Sequence, residues 1–71
     1  MKKRKMYESY GDAVFYLRKL KRWSQERLAR ELNVSLATVQ RWEGGYFKPS
    51  QLARKFLDKL LAKEGVEVEE R

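Results

Sequence analysis

The sequence predicts an all-α fold of four short helices, and three observations carry that prediction. Apolar residues recur at helical rather than alternating spacing through most of the chain. Four serines, Ser9, Ser24, Ser35 and Ser50, stand directly ahead of such stretches, where N-caps belong. The connections left between the stretches are short, as in a compact helical domain.

The first helix is expected from about Tyr10 to Arg22, with Ser9 as N-cap and Asp12 as its capping-box partner. Val14 and Leu17, with Ala13 and Leu20, form its inner stripe, and Arg18, Lys19, Lys21 and Arg22 lie on the outer face. The second opens at Ser24, carries Gln25 and Glu26 in its first turn and points Leu28, Ala29 and Leu32 inward. Asn33, which tolerates the left-handed conformation, closes it, and only Asn33 and Val34 precede Ser35, the next cap.

The third segment, 36–43, stops at Gly44-Gly45, and only Val39 and Trp42 have the spacing of a buried stripe. Leu36, Ala37, Gln40 and Arg41 project from its other side, one turn apart. The loop Tyr46-Phe47-Lys48-Pro49 leads to Ser50, the cap of a fourth helix from about Gln51 to Lys63. Leu52, Phe56, Leu57, Leu60 and Leu61 give that helix a wide apolar face, and Gly65 ends it. Trp23, Leu28, Trp42 and Phe56 are the expected core anchors, a base-stacking platform being the other use of such tryptophans. Three regions follow: a basic arm at 1–8, a helical domain at 9–64, and an acidic tail at 65–71 that alternates like a strand but is too short to stand alone. Both termini are expected to be short and flexible.

Seventy-one residues make one small domain. The chain has no cysteine and no histidine, which closes the disulfide route and argues against zinc and against Cys–His or Ser–His–Asp catalysis. No titratable groups stand at catalytic spacing, so neither an enzyme nor a cofactor is expected. The longest apolar run, Ala13-Val14-Phe15-Tyr16-Leu17, falls far short of the roughly 20 residues that span a bilayer, and no apolar leader follows Met1-Lys2-Lys3-Arg4-Lys5. The expectation is a cytoplasmic protein without a membrane segment. At 71 residues, no small-molecule effector domain is expected either.

The formal charge is +7, and it is unevenly placed. Residues 1–63 hold 16 Lys+Arg against 6 Asp+Glu, a net of +10, whereas residues 64–71 hold one Arg and four Glu, a net of −3. Such an excess is the electrostatic footprint of a polyanion binder, although solubility alone accounts for some basic surfaces. Two short helices joined by a tight turn, the second Ser-capped and sparsely apolar, describe a helix-turn-helix, whose second helix enters the DNA major groove. A groove-reading helix needs small or hydrogen-bonding side chains at its exposed positions and cations on either side.

Ser24-Gln25-Glu26-Arg27-Leu28-Ala29-Arg30-Glu31-Leu32-Asn33-Val34-Ser35, then Thr38-Val39-Gln40-Arg41-Trp42-Glu43-Gly44-Gly45 and Lys48-Pro49-Ser50, resemble the helix-turn-helix of Xre/Cro-type repressors. The resemblance covers residues 11–61, and part of it is similar to antitoxin autorepressors of that family. It implies a compact four-helix, lambda-repressor-like domain that binds double-stranded DNA, as a homodimer on a palindromic operator. It assigns phosphate contact to Gln25, Ser35, Thr38, Tyr46 and Lys48, with Gln25 also bracing the reading helix. Base reading falls to Leu36, Ala37, Gln40 and Arg41: Gln40 toward adenine, Arg41 toward guanine or a phosphate, Leu36 and Ala37 toward thymine methyls. An ordinary solvated helix face is the competing account of those four.

Arg18 and Glu43 match positions that pair in this family, which is a structural role. Three departures stand out. Arg27 replaces the glutamate that completes a capping box, Leu36 replaces a polar reader, and Lys2-Lys3-Arg4-Lys5 is either a DNA-wrapping arm or a solvated charge run. Dimer contacts are expected from the Phe47 loop and from Leu57 or Leu61. The alternative function is a protein-interaction module, such as an antitoxin bound to a toxin or a bridging factor bound to another regulator. In it the tail from Val66 to Arg71 adds a strand to a partner or to a second copy of itself.

Overall fold

Each of the four serines does the same local work in the computed structural model, which describes residues 5–70. With extended backbone, Ser9, Ser24, Ser35 and Ser50 accept from the N–H three residues on, those of Asp12 (3.2 Å), Arg27 (3.0 Å), Thr38 (3.1 Å) and Ala53 (3.2 Å). Each cap satisfies an N–H that the helix itself cannot, a gain of about 1 kcal/mol. The caps start α1 (Tyr10–Lys21), α2 (Gln25–Leu32), α3 (Leu36–Glu43) and α4 (Gln51–Lys63). Three of the helices also close alike, an N–H just beyond the end reaching back five residues: Trp23 to Arg18 O, Val34 to Ala29 O and Tyr46 to Arg41 O. The left-handed residues in these closures are Arg22, Asn33 and Gly45.

The helices enclose one core. Ala13, Val14 and Leu17 of α1, Leu28 and Ala29 of α2, Val39 and Trp42 of α3, and Leu57 and Leu61 of α4 are all buried. α3 packs against α1 and α2, and α1 approaches its C-terminal end so closely that a Cβ on Gly11 would collide with the Trp42 carbonyl oxygen. Only glycine permits this crossing.

Two short strands, β1 (Lys5–Tyr7) and β2 (Val66–Val68), pair in parallel with Lys5 opposite Val66 and Tyr7 opposite Val68. The four-helix body is the crossover that parallel pairing requires. Val66 is buried and joins the core, and β2 packs on α4 and α1. The all-α class therefore stands, but residues 5–7 and 66–68 are not the loose extensions expected of the termini. The Val66 strand is matched to the chain's own N-terminal segment rather than offered to a partner. Lys2, Lys3 and Arg4 of the basic run lie outside the described residues.

Five expectations about packing are corrected. Phe56 is 53% exposed and no core anchor, Leu52 is 67% exposed, and Leu20 also faces outward. Leu57 and Leu61, expected at a dimer surface, are sealed inside, because β2 and α1 cover that side of α4. Trp23 is partly buried at the edge of the core, with Lys21 Nζ and the Arg27 guanidinium each about 5 Å from its ring centre, at 5.1 and 5.2 Å. Only Trp42 and Leu28 of the four expected anchors are fully internal.

Candidate nucleic-acid interface

The turn between α2 and α3 is set by Asn33, left-handed at φ 56°, and by the Val34 N–H bonded to Ala29 O at 2.9 Å. It delivers Ser35 as the cap of α3. Ser35 Oγ receives the Thr38 N–H and lies 2.8 Å from Thr38 Oγ1, so the two hydroxyls are locked together at the helix start. Past this cap, α3 spends Val39 and Trp42 on the core and leaves Leu36, Ala37, Gln40 and Arg41 exposed. The four residues expected to read bases thus share the outward part of one eight-residue helix.

A hydrogen-bonded chain ties that face to the interior. Arg18 of α1 grips Glu43, the last residue of α3, through Nε to Oε2 at 2.6 Å and Nη2 to Oε1 at 2.8 Å. Arg18 Nη1 also donates to Trp23 O at 3.0 Å. The two side chains are only 12% and 8% exposed, so little water screens the pair. Its hydrogen bonds to Glu43 raise the Arg18 pKa further above its ordinary value. Gln25 Nε2 donates to Glu43 Oε1 at 3.2 Å, and Gln25 Oε1 accepts from Gln40 Nε2 at 3.5 Å. The glutamine at the start of α2 therefore stands between a buried ion pair and an exposed side chain of α3.

The loop after α3 carries the remaining expected contacts. Tyr46 is 79% exposed, and Gly45 at φ 79° supplies the left-handed step before it. Lys48 points to solvent yet lies 3.6 Å from Glu70. Phe47, expected at a dimer surface, lies beneath the Arg41 guanidinium at 5.6 Å from its ring centre. Arg27, which fills the position of a capping-box glutamate, pairs with Glu31 at 3.1 Å. Sequence spacing gave no sign of the Arg41–Phe47 stack or of Glu70 near Lys48, since both depend on how a loop and a terminus fold back.

Among the described residues no cluster of carboxylates offers a metal site, and no helix is long and apolar enough to cross a membrane. The family model described as helix-turn-helix matches residues 14–63, from within α1 to the end of α4 and well over half of the chain. No curated protein and no solved structure matches the chain.

Proposed function

The chain belongs to the Xre/Cro-like helix-turn-helix family of DNA-binding transcriptional regulators, and from that premise we propose that it is a cytoplasmic repressor that reads a palindromic operator as a homodimer through α3. The carrying observation is the division of α3, which buries only Val39 and Trp42 and turns Leu36, Ala37, Gln40 and Arg41 outward. In this reading Gln40 accepts from adenine N6 through Oε1 and donates to N7 with the amide hydrogen not directed at Gln25. Arg41, rested on Phe47, meets guanine O6 and N7 or a phosphate. Leu36 and Ala37 meet thymine methyls.

Gln25, Ser35, Thr38, Tyr46 and Lys48 would then fix the register on the backbone. The Arg18–Glu43 pair supports this by holding Gln25 where it braces α3. A second copy is called for because one short reading helix buries little surface, and two half-sites about 34–36 Å apart supply the rest. With Leu57 and Leu61 buried, the apolar surface left for that contact includes the exposed Phe47 loop and the depression of Leu32, Val34, Leu52, Ala53 and Phe56. The same depression favours the second reading, a module whose main partner is another protein.

Selection from a randomised duplex pool at two salt concentrations, with Gln40→Ala/Arg41→Ala beside the native chain, tests the proposal. It predicts an enriched palindrome, lost in the double variant, and a steep salt dependence. Salt-sensitive binding without enrichment would favour the protein-partner reading.

A further inference from the structure

The acidic tail brings Glu70 against two cations, Lys48 and Arg54. β2 runs back along α4 from Gly65, and the Glu69 N–H donates to Tyr7 O at 2.8 Å. The next residue, Glu70, reaches Arg54 Nη2 through Oε1 at 2.9 Å and lies with Oε2 3.6 Å from Lys48 Nζ. Arg54 is held in place from two further directions. Its Nε donates to Pro49 O at 3.1 Å, and its guanidinium lies 5.2 Å from the centre of the Tyr10 ring. Lys48 belongs to the loop after α3 and Arg54 to the early part of α4, where the unsatisfied N–H groups of the helix start add positive potential.

Carboxylates and phosphates present anionic oxygens that arginine and lysine bind by the same charge-assisted hydrogen bonds. We propose that Lys48 and Arg54 form a phosphodiester site of the DNA interface, and that Glu70 fills it in the free chain, so the tail competes with the DNA backbone for both cations. This rests on the DNA-binding reading above and adds Arg54 and the tail to it. A tail of net −3 cannot cancel a body of net +10 at a distance, so the effect is local to the cations it touches. A backbone phosphate must displace Glu70, which weakens binding to any duplex that engages these two cations.

The test is fluorescence anisotropy with a mixed-sequence duplex of about two helical turns, at low and physiological salt. Native chain, Glu70→Gln, Glu70→Ala, Glu69→Gln and the pair Lys48→Gln/Arg54→Gln, with and without Glu70→Gln, are compared, and thermal melts establish that each is folded. Glu70→Gln and Glu70→Ala are expected to tighten binding roughly three- to tenfold at low salt and to steepen the salt slope by about 1 to 2. Glu69→Gln, the same charge change one residue away, should stay within about twofold. The gain from Glu70→Gln should vanish once Lys48 and Arg54 are gone, which is the signature of coupling. A gain that survives in that background, or an equal gain from Glu69→Gln, would mean a general charge effect and overturn the inference. Failure of the native chain itself to bind duplex in a salt-dependent way would instead overturn the DNA-binding reading.

Discussion

Substituting Glu43 tests the packing logic at its most demanding point. Arg18 and Glu43 are almost wholly covered, at 12% and 8% exposure, and share two hydrogen bonds of 2.6 and 2.8 Å. Glu43→Ala leaves the guanidinium covered, with the Trp23 carbonyl as its hydrogen-bond partner and the Phe15 ring 5.6 Å away, and no counter-charge. Removing one member of such a pair costs about 3–5 kcal/mol, chiefly the penalty of the abandoned charge. A domain of this length holds on the order of 4–11 kcal/mol in total, so the loss takes about a quarter or more of its stability. At roughly 4–8 °C per kcal/mol, Tm falls by tens of degrees. Circular dichroism melts of native chain and Glu43→Ala measure this directly. Glu31→Ala, which breaks the exposed Arg27–Glu31 pair, is the internal comparison and should cost no more than about 0.5 kcal/mol. Arg18→Met/Glu43→Leu should recover most of the loss, since an apolar pair of similar volume carries no desolvation penalty. Below its melting temperature Glu43→Ala should keep the base preference of the native chain. A destabilisation of Glu43→Ala no larger than that of Glu31→Ala would refute the account of a water-excluded pair.

Three further outcomes follow from the geometry. Gly11→Ala should destabilise by about 1–3 kcal/mol in urea unfolding, against the usual gain of up to about 1 kcal/mol for this change within a helix, because the new Cβ meets the Trp42 carbonyl. Tyr10, desolvated and donating to Asp58 at 2.9 Å, has its phenol pushed up to about 12. Its contribution to stability is thus complete below the ordinary tyrosine pKa of 10.0 and is lost as pH climbs from there toward 12; phenolate absorbance should show one late step that Tyr10→Phe removes. Leu57→Ala should cost about 2–5 kcal/mol, whereas Phe56→Ala should stay within about 0.5 kcal/mol and weaken self-association in sedimentation equilibrium.

What could be read from the sequence was local. Ser9, Ser24, Ser35 and Ser50 declare their helices because a cap is satisfied within three residues, and Val39 with Trp42 declares the inner side of α3 because little else there is apolar. The failures all needed a distant partner. Five apolar residues along α4 do not reveal which will be covered; with β2, α1 and α2 packed on the helix, Leu57 and Leu61 are sealed while Leu52 and Phe56 stay more than half exposed. Periodicity shows that Val66–Val68 is a strand but cannot show that Lys5–Tyr7, at the other end of the chain, is its mate. Of the candidate interface, the helix that presents the four outward residues could be read in advance, and so, through family resemblance, could the Arg18–Glu43 pair. The Arg41–Phe47 stack and the Glu70 contacts depend on tertiary return and left no trace in residue spacing.

The parallel ribbon has a consequence for the order in which the molecule assembles and comes apart. Pairing Lys5 with Val66 closes nearly the whole chain into one loop, whose entropic cost rises with the logarithm of its length. The contacts among the capped helices close shorter loops than the ribbon does, so the ribbon is expected to close last and open first. Hydrogen exchange should therefore find the Lys5 and Glu69 amides, bonded to Gly65 and Tyr7, opening while the amides of α1 and α3 remain protected. Each such opening lifts the tail while the helix-turn-helix stays folded, turning the fraying of two chain ends into a clock for how often the surface beneath them is bare.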